Sequence, residues 1–488
     1  MDAPHRPSVA GRALIALVLM IGFYALALGI AGGLLFLIYA QVALVRRANA
    51  KLVLLCAIGA GVILWSILPR FDRFTAPGPR LTRDAHPRLF AELEKIARAV
   101  GQAMPVEVYL ICEVNAWVAQ RGGVLGIGSR RIMGLGLPLM QADTLSQFRA
   151  TIAHEFGHYH GGDTSLGPLI YRTREAVIRT ATNLEGTESI ISLPFVGYAK
   201  MFLRITHAVS RAQELSADEL ACRVVGGQAN ITSLCSEYAA TVAFGPYMEN
   251  EYLPALNRGF RPPFAEGLER FMKAKGISSA LGDVVKEEMA EGRKDPYDTH
   301  PSLKERVAFA QKLPPGTLPA NEAKAVTLLD RLPALEVELL TAVTGSEKIA
   351  TLAPVRWEQV GEKVLLPWWK SGLEGSAATL AGTTPVGLAG AAARLPEIGR
   401  SVAKEHLGDD DARGAGISVL GAAFALALHA QGWAIEAEPG ESIVARKGDA
   451  TVEPFTIVAK LAAGELKLDD WQKQCASLGI ANLDLTPR

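Results

Sequence analysis

Two histidines four residues apart, with a glutamate beside the first, give the chain its strongest chemical signal. The string ATIAHEFGHYHGGD, residues 150–163, sets His154, Glu155 and His158 in an HExxH pattern. On an α-helix, residues i and i+4 lie on the same face, so both imidazoles can grip one Zn²⁺ while Glu155 reaches a water on it. That combination suits metal-assisted hydrolysis. The helical setting has independent support: Thr144 and Gln147 have capping-box spacing, and Leu145, Phe148, Ile152 and Phe156 form an apolar stripe. Gly157 weakens such a helix by up to ~1 kcal/mol relative to Ala, and its missing Cβ lets another chain element approach closely.

Two imidazoles leave a zinc site in need of a third protein ligand, with the fourth position open for water. Downstream, THAVSRAQELSADELACRV, residues 206–224, places Glu214 and Asp218 again at i and i+4. His207, Arg211, Glu214 and Asp218 form one polar stripe, while Val209, Leu215 and Leu220 lie around the rest of the helix. Such a stripe is ordinarily a solvated face. Here Glu214 fits the missing ligand, and Asp218 fits a group that orients a ligand imidazole.

HEFGH followed by SRAQELSAD resembles the gluzincin membrane metallopeptidases of the HtpX and CAAX-prenyl-protease type. Their second motif, SR-x-x-E-x-x-A-D, is matched by Ser210, Arg211, Glu214, Ala217 and Asp218. Asn115-Ala116 is similar to the family's NA element on a strand bordering the cleft, and His300-Pro301 with Arg306 resembles its HP-x-x-x-x-R signature. The resemblance covers roughly residues 85–315 plus the N-terminal hairpin. It implies zinc ligands His154, His158 and Glu214, the general base Glu155, and Asp218 in support of a ligand. It further implies His300 steadying an oxyanion, Arg211 pairing with carboxylates near the site, and Asn115 and Ala116 beside the substrate. Segment 164–209 departs from relatives that often carry further spans there. Arg172, Arg174, Glu175, Arg179, Lys200 and Arg204 point instead to a soluble or interfacial helical insertion.

These residues must be positioned by a longer chain. Ala13 to Ala40 carries no charge, and Leu52 to Pro69 is a second apolar run, so a transmembrane helical hairpin is expected. Arg46, Arg47 and Lys51 in the loop are outnumbered by Arg6, Arg12, Arg70, Arg73, Arg80, Arg83 and Arg88 on the two outer flanks. Both termini and the catalytic domain therefore read as cytoplasmic, and the family resemblance implies a bacterial-type inner membrane. Lys+Arg and Asp+Glu both number 50, so no basic excess marks a nucleic-acid partner. The five cysteines are scattered and include no CxxC pair, which argues against a disulfide framework or a cysteine zinc knuckle.

The expected fold is mainly α with a small β-sheet: a membrane anchor over 1–69, a zincin-like α+β domain over 70–320, and a small α+β domain over 328–488. HPRLFAELEKIARAVG reads as a helix, MPVEVYLICEVNAWVA as a strand, and GGVLGIGSRRIMGLGLPL as two short strands turning at Ser129–Arg131. In the tail, GISVLGAAFALALHAQG reads as a helix and ATVEPFTIVAKLAAG as a strand. The expected activity is zinc-dependent endoproteolysis of membrane or misfolded polypeptides at the lipid bilayer, with substrate extended along the strand near 124–136. The alternative is a membrane-anchored chaperone-like scaffold whose zinc is not catalytic; that would call for four protein ligands, and the sequence offers three.

Overall fold

The computed structural model describes residues 9–44, 49–68, 74–121, 130–159, 167–185, 191–292, 301–314, 316–402 and 407–487. It is mainly helical with small sheets, and it divides into two compact units. The first comprises Met1–Tyr238 with Val285–Asp330, the second Ala239–Val284 with Arg331–Arg488.

The first unit opens with the two apolar helices, α1 (Val9–Tyr39) and α2 (Ala50–Ile67). Asn49 caps α2 by accepting from the Lys51 and Leu52 amides. Both helices are long and apolar enough to cross a membrane. After β1 (Arg80–Leu81), α3 (Pro87–Ala99) buries Leu89, Leu93 and Ile96, one face of its predicted helical repeat.

The sheet has the order β1, β2 (Glu107–Ile111), β4 (Arg130–Gly136), β3 (Ala116–Arg121). The single strand expected over MPVEVYLICEVNAWVA is in fact β2 and β3, broken at 112–115. Gly136 explains the break: a Cβ there would lie 2.0 Å from Glu113 O and 2.5 Å from Asn115 O, so the chain doubles back against bare backbone. β4 runs parallel to β2 and antiparallel to β3, so among the described residues β4 is interior and β3 has the free edge. Two expectations change accordingly. Arg130 and Arg131 belong to β4, not to a turn, and residues 130–136 of the segment near 124–136 are interior, so the described strand open to an added partner is β3; residues 122–129 lie outside the described residues.

Helix α5 (Leu145–Gly157) follows α4 (Leu137–Ala142) and carries the HExxH string. Then come α6 (Gly167–Glu185), the 34-residue α7 (Ser192–Val225) and α8 (Gly227–Tyr247). The insertion is helical, as expected, and neither α6 nor α7 is among the three helices apolar enough to span a membrane. Both pack on the N-terminal hairpin: Ala176, Val177, Leu184, Phe195, Ala199 and Phe202 share one core with α1 and α2.

In the second unit, helix Asp409–Ala430 is the third helix long and apolar enough to cross. Its Leu420, Phe424 and Leu428 are fully buried in a core with Trp433 and Trp471, which accounts for its apolarity. Trp357 and Trp369 are also buried, whereas Trp368 is exposed. The strand expected over ATVEPFTIVAKLAAG shrinks to Ala450–Val452, followed by a helix, Pro454–Ala463. Pro454 has no N–H for a ladder but suits a first helical turn.

Candidate metal centre

The local sequence fixes α5 rigidly. Thr144 accepts from Gln147 N while Gln147 Oε1 accepts from Thr144 N at 2.7 Å, the capping box expected from the spacing. Phe148, Ile152 and Phe156 are fully buried. On another side, buried Arg149 donates to Glu92 at 2.6 Å and to Pro319 O at 2.9 Å. Helix α5 is thus clamped before it presents any chemistry.

Helix α7 crosses it at Gly157. A Cβ there would stand 2.8 Å from Ala217 Cα, so glycine allows an approach that no other residue permits. Glu214, three residues before Ala217, is thereby brought against the imidazoles: Glu214 Oε2 is 3.3 Å from His154 Nε2 and Oε1 is 3.5 Å from His158 Nε2. Donor atoms of His154, Glu155 and His158 also lie within 4.8 Å of one another. Donors held ~2.1 Å from one tetrahedral ion are ~3.4 Å apart. The Glu214 contacts match that edge better than the looser Glu155 cluster does, and the donor set of two nitrogens and a carboxylate suits Zn²⁺.

Asp218 is wholly buried behind the site. A carboxylate can only accept, so His154 Nδ1–H donates to Asp218 Oδ1 at 3.0 Å, which makes Nε2, on the side of Glu214, the nitrogen that would turn to a metal on losing its proton. Arg306, on the short helix Leu303–Ala310, donates to Asp218 Oδ2 from Nε at 2.9 Å and to Oδ1 from its terminal nitrogen at 2.7 Å. Burial opposes charge on Asp218, yet the bonds from Arg306 and His154 hold its carboxyl well below the usual carboxylate range. Burial likewise opposes a proton on His154, but Asp218 and Glu214 outweigh it and push the imidazole up to about 10. The same negative field favours a metal cation at that point. Burial pushes the Glu155 carboxyl up to about 7, and Glu214 adds to this, while His154 and the Val118 N–H pull the other way.

A cavity of about 230 Å³ opens here, lined by Thr151 and the HExxH residues of α5, by Glu214, Arg306 and Asn115, and by the α8 residues Asn230, Ser233, Leu234 and Glu237. On the free edge of β3, Val118 has both main-chain groups engaged: its N–H donates to Glu155, and its carbonyl accepts from Tyr159 Oη at 2.7 Å. Arg131 stacks over the Tyr159 ring at 4.7 Å.

The structure thus brings His154, Glu155, His158, Glu214, Asp218 and Asn115 together, with Ala116 buried at the start of β3. Arg211 is half-buried on α7 and does not line the cavity. The guanidinium on Asp218 is that of Arg306, which the HP-x-x-x-x-R string contained without a role being read from it. His300 lies outside the described residues, as does His160. Tyr159 and the polar face of α8 carried no motif, and only the fold reveals them.

Residues 84–313 match the family model described as Peptidase family M48. No curated protein and no solved structure matches the chain. The match indicates a metallopeptidase over that segment, in the family of HtpX and the CAAX prenyl proteases, and the chain also carries apolar helices suited to a membrane.

Proposed function

We propose that this protein is a zinc-dependent endopeptidase anchored in the membrane by α1 and α2, with its catalytic unit on the cytoplasmic face of a bacterial-type inner membrane. The observation that carries the reading is the convergence of His154, His158 and Glu214 on one point while Asp218 fixes the His154 tautomer. These three residues would hold the ion. When bound, Zn²⁺ supplies Lewis acidity, lowering the pKa of water toward ~7 and polarising a carbonyl.

The chain's own residues supply the rest. Glu155 sits in the cavity with its carboxyl raised toward neutrality, suited to taking a proton from the attacking water and passing it to the leaving amine. The β3 edge offers main-chain groups for an extended polypeptide, a mode that reads backbone more than side chain and so fits unfolded or membrane-protein substrates. Asn115, at the start of that edge, lines the same cavity as Glu155. The test pairs zinc content with hydrolysis of an unfolded protein in detergent, for wild type and Glu155→Gln. Near-stoichiometric zinc in both, with the rate reduced by ~10² or more in the variant, is expected. Undiminished cleavage by Glu155→Gln would remove Glu155 from its role.

A further inference from the structure

The cavity beside the metal centre has a wall that the hydrolysis itself does not use. His154, His158 and Glu214 would belong to the ion and Glu155 to the water, and Arg306 spends its guanidinium on Asp218 at 2.9 and 2.7 Å. Apart from Asn115, what remains is Thr151 on α5 and the face that α8 turns to it. On α8, Asn230, Ser233, Leu234 and Glu237 stand at i, i+3, i+4 and i+7, one stripe covering ~10 Å of the helix. The two helices are joined there. Thr151 Oγ1 and Ser233 Oγ lie 2.9 Å apart, and Ser233 Oγ donates to Gln147 O at 3.0 Å. These hydroxyls are therefore satisfied within the protein.

The position of Glu155 decides which part of a substrate meets this wall. Hydrolysis adds hydroxide to the carbonyl carbon, breaks the C–N bond and puts a proton on the leaving nitrogen, and Glu155 is the group suited to deliver that proton. The leaving nitrogen is the main-chain N of the residue after the cut, bonded directly to its Cα, so the side chain of that residue starts beside Glu155. The ion would lie on one side of Glu155, and the β3 edge would hold the main chain on another. The space left for the side chain is the one between Thr151, a turn before Glu155 on α5, and the α8 stripe.

Pockets that take aliphatic groups are lined mainly by apolar side chains. Here Leu234 is the one apolar side chain among the described lining residues. Glu237 is the one charged residue among them that has no part in the metal centre or the water chemistry. The charge of Zn²⁺ would be offset by Glu214 and Glu155, and Asp218 offsets Arg306, so Glu237 gives the lining a surplus of negative charge. Its field is felt at both Glu155 and Arg306. Glu237 is partly buried, where opposite charges attract more strongly than in open water. An aspartate or glutamate entering the same space meets two carboxylates, Glu237 and Glu155, and is repelled.

We propose that Glu237 is a specificity residue, making the space between α5 and α8 select lysine or arginine immediately after the cleaved bond. The proposal rests on the endopeptidase reading and names its substrate preference. A bond from a cationic side chain to Glu237 is charge-assisted, and its loss should lower kcat/KM by ~10-fold or more.

The full chain, zinc-loaded and in detergent, is given an unfolded, reduced and alkylated protein, and every new terminus is mapped by mass spectrometry. Lys and Arg should follow the cut in excess of their share of the substrate, and Asp and Glu should fall below theirs. Peptides identical except for Lys, Leu or Glu after a mapped bond then give kcat/KM. In wild type the Lys peptide should lead the Leu peptide by ~10-fold or more. That lead should vanish in Glu237→Gln, and in Glu237→Lys the Glu peptide should overtake the Lys peptide. The wild-type map decides the preference whether or not either variant folds. A map without basic residues in excess after the cut, or a Lys-to-Leu ratio unmoved by Glu237→Gln, overturns the proposal and leaves the endopeptidase standing. If wild type cuts neither protein nor peptide, the endopeptidase reading falls and the specificity falls with it.

Discussion

Asp218→Asn tests the linkage behind the metal centre. The carboxylate Oδ1 accepts from His154 Nδ1 and from Arg306, and Oδ2 accepts from Arg306 Nε. The asparagine amide must turn its NH₂ toward one of these positions. At Oδ1 it faces a guanidinium N–H and offers a donor to His154 Nδ1; the proton then moves to Nε2, the nitrogen that should hold the metal. At Oδ2 it confronts Arg306 Nε, donor against donor. Either arrangement loses a charge-assisted bond, worth ~1.5–3 kcal/mol. It also leaves Arg306, whose side chain is 15% exposed, without its counter-charge, so the total approaches the ~3–5 kcal/mol of a broken buried pair. Zinc affinity should fall by ~10–100-fold, as for other lost partners of ligand histidines. Zinc affinity is read by competition with a chromogenic chelator and stability by thermal melting of the zinc-free protein. The double variant with Arg306→Gln should lose less than the sum of the two single changes, because the pair acts as a unit. Zinc affinity and melting temperature both unchanged in Asp218→Asn would refute the idea that this carboxylate sets the His154 tautomer.

Gly157→Ala should destabilise the fold by ~1–3 kcal/mol through overpacking against Ala217, despite a gain of up to ~1 kcal/mol in helix propensity. It should also weaken zinc binding by shifting Glu214; a stabilised variant with unchanged zinc affinity would count against the close crossing. Tyr159→Phe frees the Val118 carbonyl on the β3 edge, so KM for an extended peptide should drop ~5-fold with kcat unchanged, and a fall in kcat instead would place Tyr159 in the chemistry. Burial pushes the Asp143 carboxyl well above its ordinary value, Glu237 adds to this, and the Ser236 hydroxyl and Lys324 offset only part. With the folded pKa raised, ionisation opposes folding, and the stability present at low pH is lost as pH rises through the folded value. Asp143→Asn should therefore stabilise by ~1–3 kcal/mol at pH 8, with the gain shrinking toward zero near pH 4 in urea titrations; an equal gain at both pH values would contradict this.

What was legible in the sequence was whatever is local to one helix. The capping box at Thr144, the apolar stripe of α5, the i, i+4 pairing of His154 with His158 and of Glu214 with Asp218, and the periodicity of α3 all lie within a few turns of chain, where 3.6-residue spacing determines which side chains share a face. The readings that failed in the first sheet depended on non-local pairing. Strand β4 could not be recognised as interior, because its neighbours β2 and β3 lie on either side only after a crossover, and the break at 112–115 is imposed by the close approach of Gly136. The segment after Pro454 has an apolar run that suits strand or helix, and the missing proline N–H decides between them. Arg306 illustrates the same limit at the site. Nothing local distinguishes it from Arg211, which sits three residues from Glu214. Only the packing of the helix Leu303–Ala310 beside α7 sets one arginine on Asp218, 88 positions away, and keeps the other off the cavity. A single long helix, α7, therefore takes part in two assemblies that the sequence keeps apart: its first turns pack on the membrane hairpin, and its later turns supply Glu214 and Asp218. The run of charges that argued against a span within 164–209 is consistent with this, because a helix that continues into the catalytic unit needs only its first turns to be apolar.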